Sequence, residues 1–339
     1  GEYTDQTAMG VDNKTVGEKY MGLKKTVGTL ATFAKTSGKD TYELTISNVN
    51  TTDSTDGDKA VKSFTKVKKD YSSLKYNTVK VLYKAKDDVY GVFATDDNTV
   101  QNGVLADLKM DGKKVKLDGT KYDLADNTTV YVNGDVLYKT SDGFTTNDSN
   151  ASKDSDGKAI KATIKQFVDV YGDGADSTKY QGNYWQGTEV SLLATDGTSN
   201  YSILKVKTFA VGKVTAVGSD YINVTYKKGD SSILSKTKLE DDDWDWYDGV
   251  KKDDYVVVSA AGNYGSGNGL VEKANVVTGK VTGTKSDDGV SVGGNWYTMA
   301  GKKANGNPAV ERPNTGSNVD MVVVNGYVYY TDTTAGNVD

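Results

Sequence analysis

Apolar residues recur along this chain in short alternating runs, each closed by a polar turn. Val79-Lys80-Val81-Leu82-Tyr83 and Val89-Tyr90-Gly91-Val92-Phe93 flank Lys86-Asp87-Asp88. Side chains alternate across a strand, so the pattern predicts two strands joined as a hairpin. Residues 115–117 and 121–124 around Asp118-Gly119 predict a second hairpin. Residues 129–132 and 135–138 around Asn133-Gly134 predict a third, and residues 322–324 and 327–330 around Asn325-Gly326 a fourth. Asn-Gly tolerates the positive φ angles that a tight two-residue turn demands. Residues 221–226 alternate as one more strand. Residues 15–25 predict a short helix, with Tyr20 one turn from Leu23 and Lys24. Residues 141–158 offer little to bury and predict a loop. In residues 159–171, Ile160, Ile164, Phe167 and Val168 suit a helix, while Ile160, Ala162, Ile164, Val168 and Val170 suit one strand face. The run into Tyr171-Gly172-Asp173-Gly174 favours the strand.

A larger unit recurs on top of these elements. Its opening phrase is Gly212-Lys213-Val214-Thr215 and again Gly279-Lys280-Val281-Thr282, with looser copies at Gly28-Thr29-Leu30-Ala31 and Gly103-Val104-Leu105-Ala106. A second, apolar phrase follows each: Thr78-Val79-Lys80-Val81, Glu189-Val190-Ser191-Leu192, Tyr255-Val256-Val257-Val258 and Met321-Val322-Val323-Val324. Counted from opening Gly to first Val, the last two copies nearly match, and the second carries an insertion at about 140–185. The repeat predicts four β domains, at residues 27–100, 101–208, 209–276 and 277–339, after an N-terminal linker or contact segment at 1–26. Each unit reads as a meander of strands that closes as a small barrel or sandwich, which hides its edges. The expected fold class is all-β, with tandem small antiparallel β-barrel or sandwich domains in an extended array.

Composition narrows the function. With no Cys and no His, the chain lacks thiolate chemistry, the usual general base near neutral pH and the commonest transition-metal ligand. Arg312 is the one arginine, and 46 acids outnumber 41 bases, which argues against a nucleic-acid partner. No run of apolar residues is long enough to span a bilayer as a helix. Repetition of a small unit covers distance and surface and is a poor way to build one catalytic pocket. The chain therefore reads as a structural or binding protein and not as an enzyme.

The most unusual local segment is Glu240-Asp241-Asp242-Asp243-Trp244-Asp245-Trp246-Tyr247-Asp248-Gly249. Carboxylates of Asp241, Asp243 and Asp245 form a candidate Ca²⁺ set, since hard cations prefer oxygen ligands. Asp173 and Asp176 form the next candidate, in a turn without the distal Glu of a twelve-residue calcium loop; ordinary turn-forming Asp is the competing reading. No motif requires a cofactor, and Ca²⁺ is the ion that these groups would select. Trp244, Trp246 and the adjoining Tyr247 could stack on a sugar, pack at a subunit contact or plug the barrel end. Tyr327, Tyr329 and Tyr330 are candidates for contact surface, with core use as the alternative.

Several phrases resemble one family. They are Val211-Gly212-Lys213-Val214-Thr215-Ala216-Val217 with Asp253-Asp254-Tyr255-Val256-Val257-Val258, and the hairpin Gly112-Lys113-Lys114-Val115-Lys116-Leu117-Asp118-Gly119-Thr120-Lys121-Tyr122. Thr15-Val16-Gly17-Glu18-Lys19-Tyr20-Met21-Gly22-Leu23-Lys24 leads into Val27-Gly28-Thr29-Leu30 in a similar way. Together they resemble S-layer-type cell-surface proteins of Gram-positive bacteria, in which S-layer homology anchoring modules precede arrays of small β domains. The resemblance covers the β array and includes no anchoring module. It implies an exported structural protein at the cell surface or cell wall that self-assembles into a surface layer, fibre or filament. Copies of the chain are then its main partners and cell-wall polysaccharide a further one. Residues 1–14 and the tail after Thr331 would be the strand donors in such an assembly. The alternative is a monomeric adhesin or glycan-binding protein centred on Trp244 and Trp246.

Overall fold

The opening strand of each repeat lies in a sheet beside its second-phrase strand. The computed structural model describes residues 21–49, 60–173, 183–259, 269–286, 288–301 and 309–334. The fold is all-β, as the alternation predicts, with several sheets and a closed five-stranded barrel. The chain forms two compact bodies. The first runs to Thr99 and includes the Ala194–Thr198 turn, and the second holds most of the remainder.

In the first body, β1 (Lys24–Lys35), β2 (Tyr42–Ser47), β3 (Lys62–Val67), β4 (Thr78–Ala85) and β5 (Asp88–Ala94) form one sheet in the order β3-β2-β1-β4-β5. Leu30, Phe33, Leu44, Ile46, Phe64 and Val81 fill its core. We call this sheet module one.

The second body holds three modules. Module two contains β6 (Thr99–Val104), β7 (Leu108–Asp111), β8 (Lys114–Leu117), β9 (Thr120–Val132), β10 (Asp135–Val136), β11 (Tyr138–Lys139), β12 (Phe144–Thr145), β13 (Glu189–Ala194) and β14 (Asn200–Lys207). Its main sheet has the order β6-β13-β14-β9-β8-β7, with β14 and β9 parallel. Module three comprises β15 (Ala210–Val217), β16 (Tyr221–Gly229), β17 (Lys238–Glu240), β18 (Trp244–Trp246), β19 (Tyr255–Ser259) and β20 (Gly269–Lys273). Module four is the closed barrel of β21 (Asn275–Lys285), β22 (Gly289–Val292), β23 (Asn295–Met299), β24 (Asn318–Val324) and β25 (Tyr327–Thr333).

These sheets are not the meanders expected from the sequence. In each module the opening strand lies beside the second-phrase strand, so the two halves of the repeat meet in space. Gly28 stands opposite Val79 and Gly212 opposite Val256. In module four Gly279 faces Val319, not Val322, so the true second phrase there begins three residues earlier than the valine run suggests.

One small device sets this register. The carbonyl of Leu74, Trp185, Lys251 or Asn314 accepts a hydrogen bond from the residue three positions on, at 3.0, 3.1, 3.2 and 3.1 Å. The carbonyl of that last residue then accepts the amide of the third opening residue: Leu30 donates to Asn77 at 3.0 Å, Leu105 to Thr188 at 2.9 Å, Val214 to Asp254 at 2.8 Å and Val281 to Ser317 at 2.9 Å. In three modules the turn's third residue returns its own amide to the same strand residue. Tyr76 donates to Leu30, Asp253 to Val214 and Gly316 to Val281, at 2.7, 2.8 and 2.8 Å. All three adopt positive φ, a conformation that costs a non-glycine residue about 1–2 kcal/mol. The bonds recovered offset that cost.

The four predicted hairpins are present, and Asn133-Gly134 and Asn325-Gly326 have the positive φ angles their chemistry permits. Two further expectations fail. Residues 164–171 form a helix, Ile164–Tyr171, and not a strand. Thr163 and Gln166 close a capping box at its start, and Ile164, Phe167 and Val168 are buried. The short helix expected at residues 15–25 is replaced at its described end, where Lys24 and Lys25 open β1; residues 1–20 lie outside the described residues. No described helix is long and apolar enough to cross a membrane.

The opening glycines test the close pairing. An added Cβ at Gly28 would lie 2.3 Å from the Ser47 carbonyl oxygen, and at Gly212 2.5 Å from Val224 Cγ1. At Gly279 its nearest neighbour would be 3.0 Å away. Gly28→Ala should therefore destabilise by about 1–3 kcal/mol, Gly212→Ala similarly, and Gly279→Ala by less. Denaturant melts of the three variants check the ranking, and an equal loss in all three contradicts it.

Candidate functional site at the junction of three modules

Module two departs from the common turn, and the departure builds an interface. Gly187 occupies the place of Tyr76, Asp253 and Gly316, yet its amide donates to the Tyr329 hydroxyl of module four at 2.7 Å. Its carbonyl accepts from Asn325 Nδ2 at 2.8 Å. Beside it, Gln186 Oε1 accepts the Gly301 amide at 2.8 Å. A Cβ at Gly187 would lie 2.7 Å from that hydroxyl and 2.8 Å from the Val324 carbonyl oxygen, so only glycine fits. The Tyr329 side chain is fully buried, with its ring 5.7 Å from Trp185 and 5.0 Å from Phe209 in edge-on contacts. Trp185, Phe209 and Val211 thereby join the barrel core of module four.

The other junctions follow the same logic. Tyr255 of module three donates to Asp332 Oδ2 at 2.9 Å, and its ring lies 5.9 Å from Tyr330. Lys227 sits 4.8 Å over the Tyr330 ring. Burial, then the hydrogen bond to Asp332, raises the Tyr255 hydroxyl above its ordinary pKa. Between modules two and three, Asn133 Nδ2 donates to Thr208 Oγ1 at 2.8 Å, and Thr208 Oγ1 donates to the buried Asp230 Oδ2 at 2.6 Å. The Ser232 amide and hydroxyl donate to the other Asp230 oxygen, so this buried carboxylate is fully bonded.

The tryptophan segment is placed differently. β18 pairs in parallel with β20, and Trp244 lies so close over Gly269 that a Cβ there would be 2.2 Å from the indole. Trp244, Trp246 and Tyr247 are half-buried and pack against the core of module three. The Tyr247 hydroxyl donates to Asp254 Oδ2 at 2.6 Å and so braces the module's turn. Burial opposes ionisation of Asp254, but the Tyr247 hydroxyl, the Lys251 amide and the Lys273 and Lys251 charges outweigh it and hold its pKa low.

The acids do not converge. Asp241, Asp243 and Asp245 are exposed, and among the described residues no three acids group closely enough to hold a metal. Asp176 lies outside the described residues. The Asp173 amide bonds the Leu108 carbonyl at 2.6 Å. Burial, then Asp118 and Asp173, raises the pKa of Asp107. The half-buried Tyr327 is raised by its burial first, then by Asp107, Asp173 and Asp288. Of the candidate donor segments, residues 1–14 lie outside the described residues. Thr331, Asp332 and Thr333 pair with Met321, Asp320 and Val319 in their own barrel.

Sequence reasoning overlooked Gly187, Gln186 and Trp185, although a turn before the second phrase is the place to look. It also passed over Lys205, which is 5% exposed on β14 opposite Ser191 and Tyr131. Burial pulls its ammonium down to about 8. Compared with known proteins, the chain matches no family model and no curated sequence.

Two expectations follow from these contacts. Tyr329→Phe strands the buried Gly187 amide and should cost about 1–3 kcal/mol. Tyr330→Phe, on a half-exposed ring, should change stability by less than about 0.5 kcal/mol. Chemical denaturation followed by tryptophan fluorescence separates them, and equal effects would discount the buried bond. For Lys205, the unfolded chain titrates near the ordinary lysine value of about 10.4. Between about pH 8 and 10 the unfolded state holds a proton that the folded state sheds, so stability rises with pH there. The penalty relieved is on the order of 3 kcal/mol. Melts across this range should show the rise in the native chain and not in Lys205→Met.

Proposed function

We propose that this chain is a structural subunit of an S-layer-type cell-surface assembly, exported to the cell surface or cell wall. Copies of the chain associate into a layer, fibre or filament. The protein acts through association of its modules and performs no catalysis. One observation carries this reading: modules that share one turn device join through buried and half-buried tyrosines, and at Gly187 the device itself becomes a docking contact. A unit that joins its own copies within one chain has the chemistry to join copies between chains. Tyrosine suits both, since it brings contact area and a polar handle.

A monomeric adhesin centred on Trp244 and Trp246 has less support, because both rings pack against the module core. Negative-stain electron microscopy of the purified chain, with Ca²⁺ and then with chelator, tests the assembly. Ordered sheets or filaments are the expected result. Their loss in chelator would assign the exposed acids a bridging role. Dispersed single particles under both conditions would overturn self-assembly by this chain.

A further inference from the structure

Module two leaves one strand edge open. In modules one, three and four the opening strand pairs on both sides: β1 with β2 and β4, β15 with β16 and β19, β21 with β22 and β24. In module two the next strand, β7, follows a turn at Leu105–Asp107 and pairs with β8 instead. β6 therefore ends its sheet, with β13 on one side and, among the described residues, no strand on the other. The Leu105 amide bonds the Thr188 carbonyl on the β13 side, and Val104 before it is extended. Backbone groups alternate in direction along a strand, so Gln101 and Gly103 also face β13. Val100, Asn102 and Val104 then turn their N–H and C=O groups to the open edge. Side chains alternate too. Gln101 reaches inward to the hydroxyl of the buried Tyr201 at 3.1 Å, while Val100 is 44% exposed and Asn102 is exposed.

An open edge invites another strand, and folded chains normally guard it with charge or proline. The other strands that end the open sheets of modules one to three are guarded: β3 carries Lys62, β5 Asp88, β7 Lys109, β17 Lys238 and β18 Asp245. β6, Thr99–Val104, has neither charge nor proline. A charged peptide finds no counter-charge on it, whereas a second β6 fits. When two such edges pair antiparallel about a two-fold axis, Asn102 falls opposite Asn102 of the second copy, and Val100 opposite Val104 of the second copy. These are the residues whose backbone groups face outward, so both strands complete their ladders. Carboxamide meets carboxamide, each with donors and an acceptor, and valine meets valine. Asn102 Oδ1 accepts the Ser191 hydroxyl at 2.7 Å, which leaves Nδ2 directed at the copy. We infer that this chain pairs with a second copy through β6, strand to strand across a two-fold axis. The pairing rests on the assembly reading above and supplies one of its contacts. A two-fold contact closes on itself, so a layer or fibre needs a further interface besides it.

Sedimentation velocity of the full chain over a rising concentration series tests the pairing, with amide hydrogen exchange as the local readout. The expected species is a dimer that forms on concentration, with exchange slowed at Val100, Asn102 and Val104. Asn102→Asp keeps the acceptor for Ser191 but sets two carboxylates face to face across the axis. It should raise the dimer dissociation constant about tenfold, and added salt should restore part of the loss. Val100→Pro removes an amide that faces only the open edge, so it should abolish pairing while the circular dichroism of the sheets persists. The chain has no cysteine, so Asn102→Cys carries a single thiol. Mild oxidation should crosslink it into dimers far faster than Val217→Cys, exposed on β15. A chain that stays monomeric throughout, a dimer unaffected by both Asn102→Asp and Val100→Pro, or unchanged exchange at the three amides would each overturn the inference. Sheets or filaments that persist in both variants would overturn the β6 contact and leave the assembly reading standing. Dimers that never grow into larger order would do the reverse.

Discussion

Each module hangs on the backbone hydrogen bonds between the third residue of its opening strand and the turn before its second-phrase strand. Leu30, Val214 and Val281 are buried on strands and Leu105 is buried just past the end of β6, where an unpaired amide would be costly. The turn supplies the acceptor, and its rigid geometry fixes which residue of the next strand lies opposite the opening glycine. That glycine is then forced, because the neighbouring strand approaches too closely for a side chain at Gly28 and Gly212. A positive φ at Tyr76 and Asp253 is the strain the fold accepts to keep these bonds.

Module two shows what happens when the device is released. The Gly187 amide no longer returns to its own strand, where Ala106 instead donates to the Gln186 carbonyl at 3.0 Å. The freed donor meets the Tyr329 hydroxyl, and a buried phenol has its polar end satisfied as burial requires. Around that bond Trp185 and Phe209 merge into the barrel core, so the stability of module four is shared with its neighbours. Asp230 and Tyr255 add polar contacts at the other joins, each with its partners in place. The functional proposal rests on this habit of joining modules through paired tyrosine contacts.

Local signals in the chain were largely legible. Asn133-Gly134, Asp118-Gly119 and Asn325-Gly326 announced their hairpins because only a few residue types tolerate the angles such turns need. The capping box at Thr163 and Gln166 was also present in the sequence, but the apolar spacing around it fits two periods, and the strand reading prevailed wrongly. The exposed acids and half-buried tryptophans of residues 240–249 were conspicuous in composition. Their placement followed the alternation, with Asp245 exposed between two packed rings.

By itself, then, the sequence determined an all-β chain, the position of its tight turns and the recurrence of one unit, because these depend on backbone angles and side-chain alternation over a few residues. Tertiary structure alone decided the rest. The valine run in β24 offers several equivalent registers, and only the turn from Asn314 to Ser317 selects Val319 as the partner of Gly279. Tyr329 looks like any strand tyrosine until Gly187, far away in the chain, presents an amide to it. Lys205 looks like a surface lysine until the packed sheet removes its water. Register, partner choice and burial are properties of surfaces brought together from distant segments, and no short stretch of residues contains them.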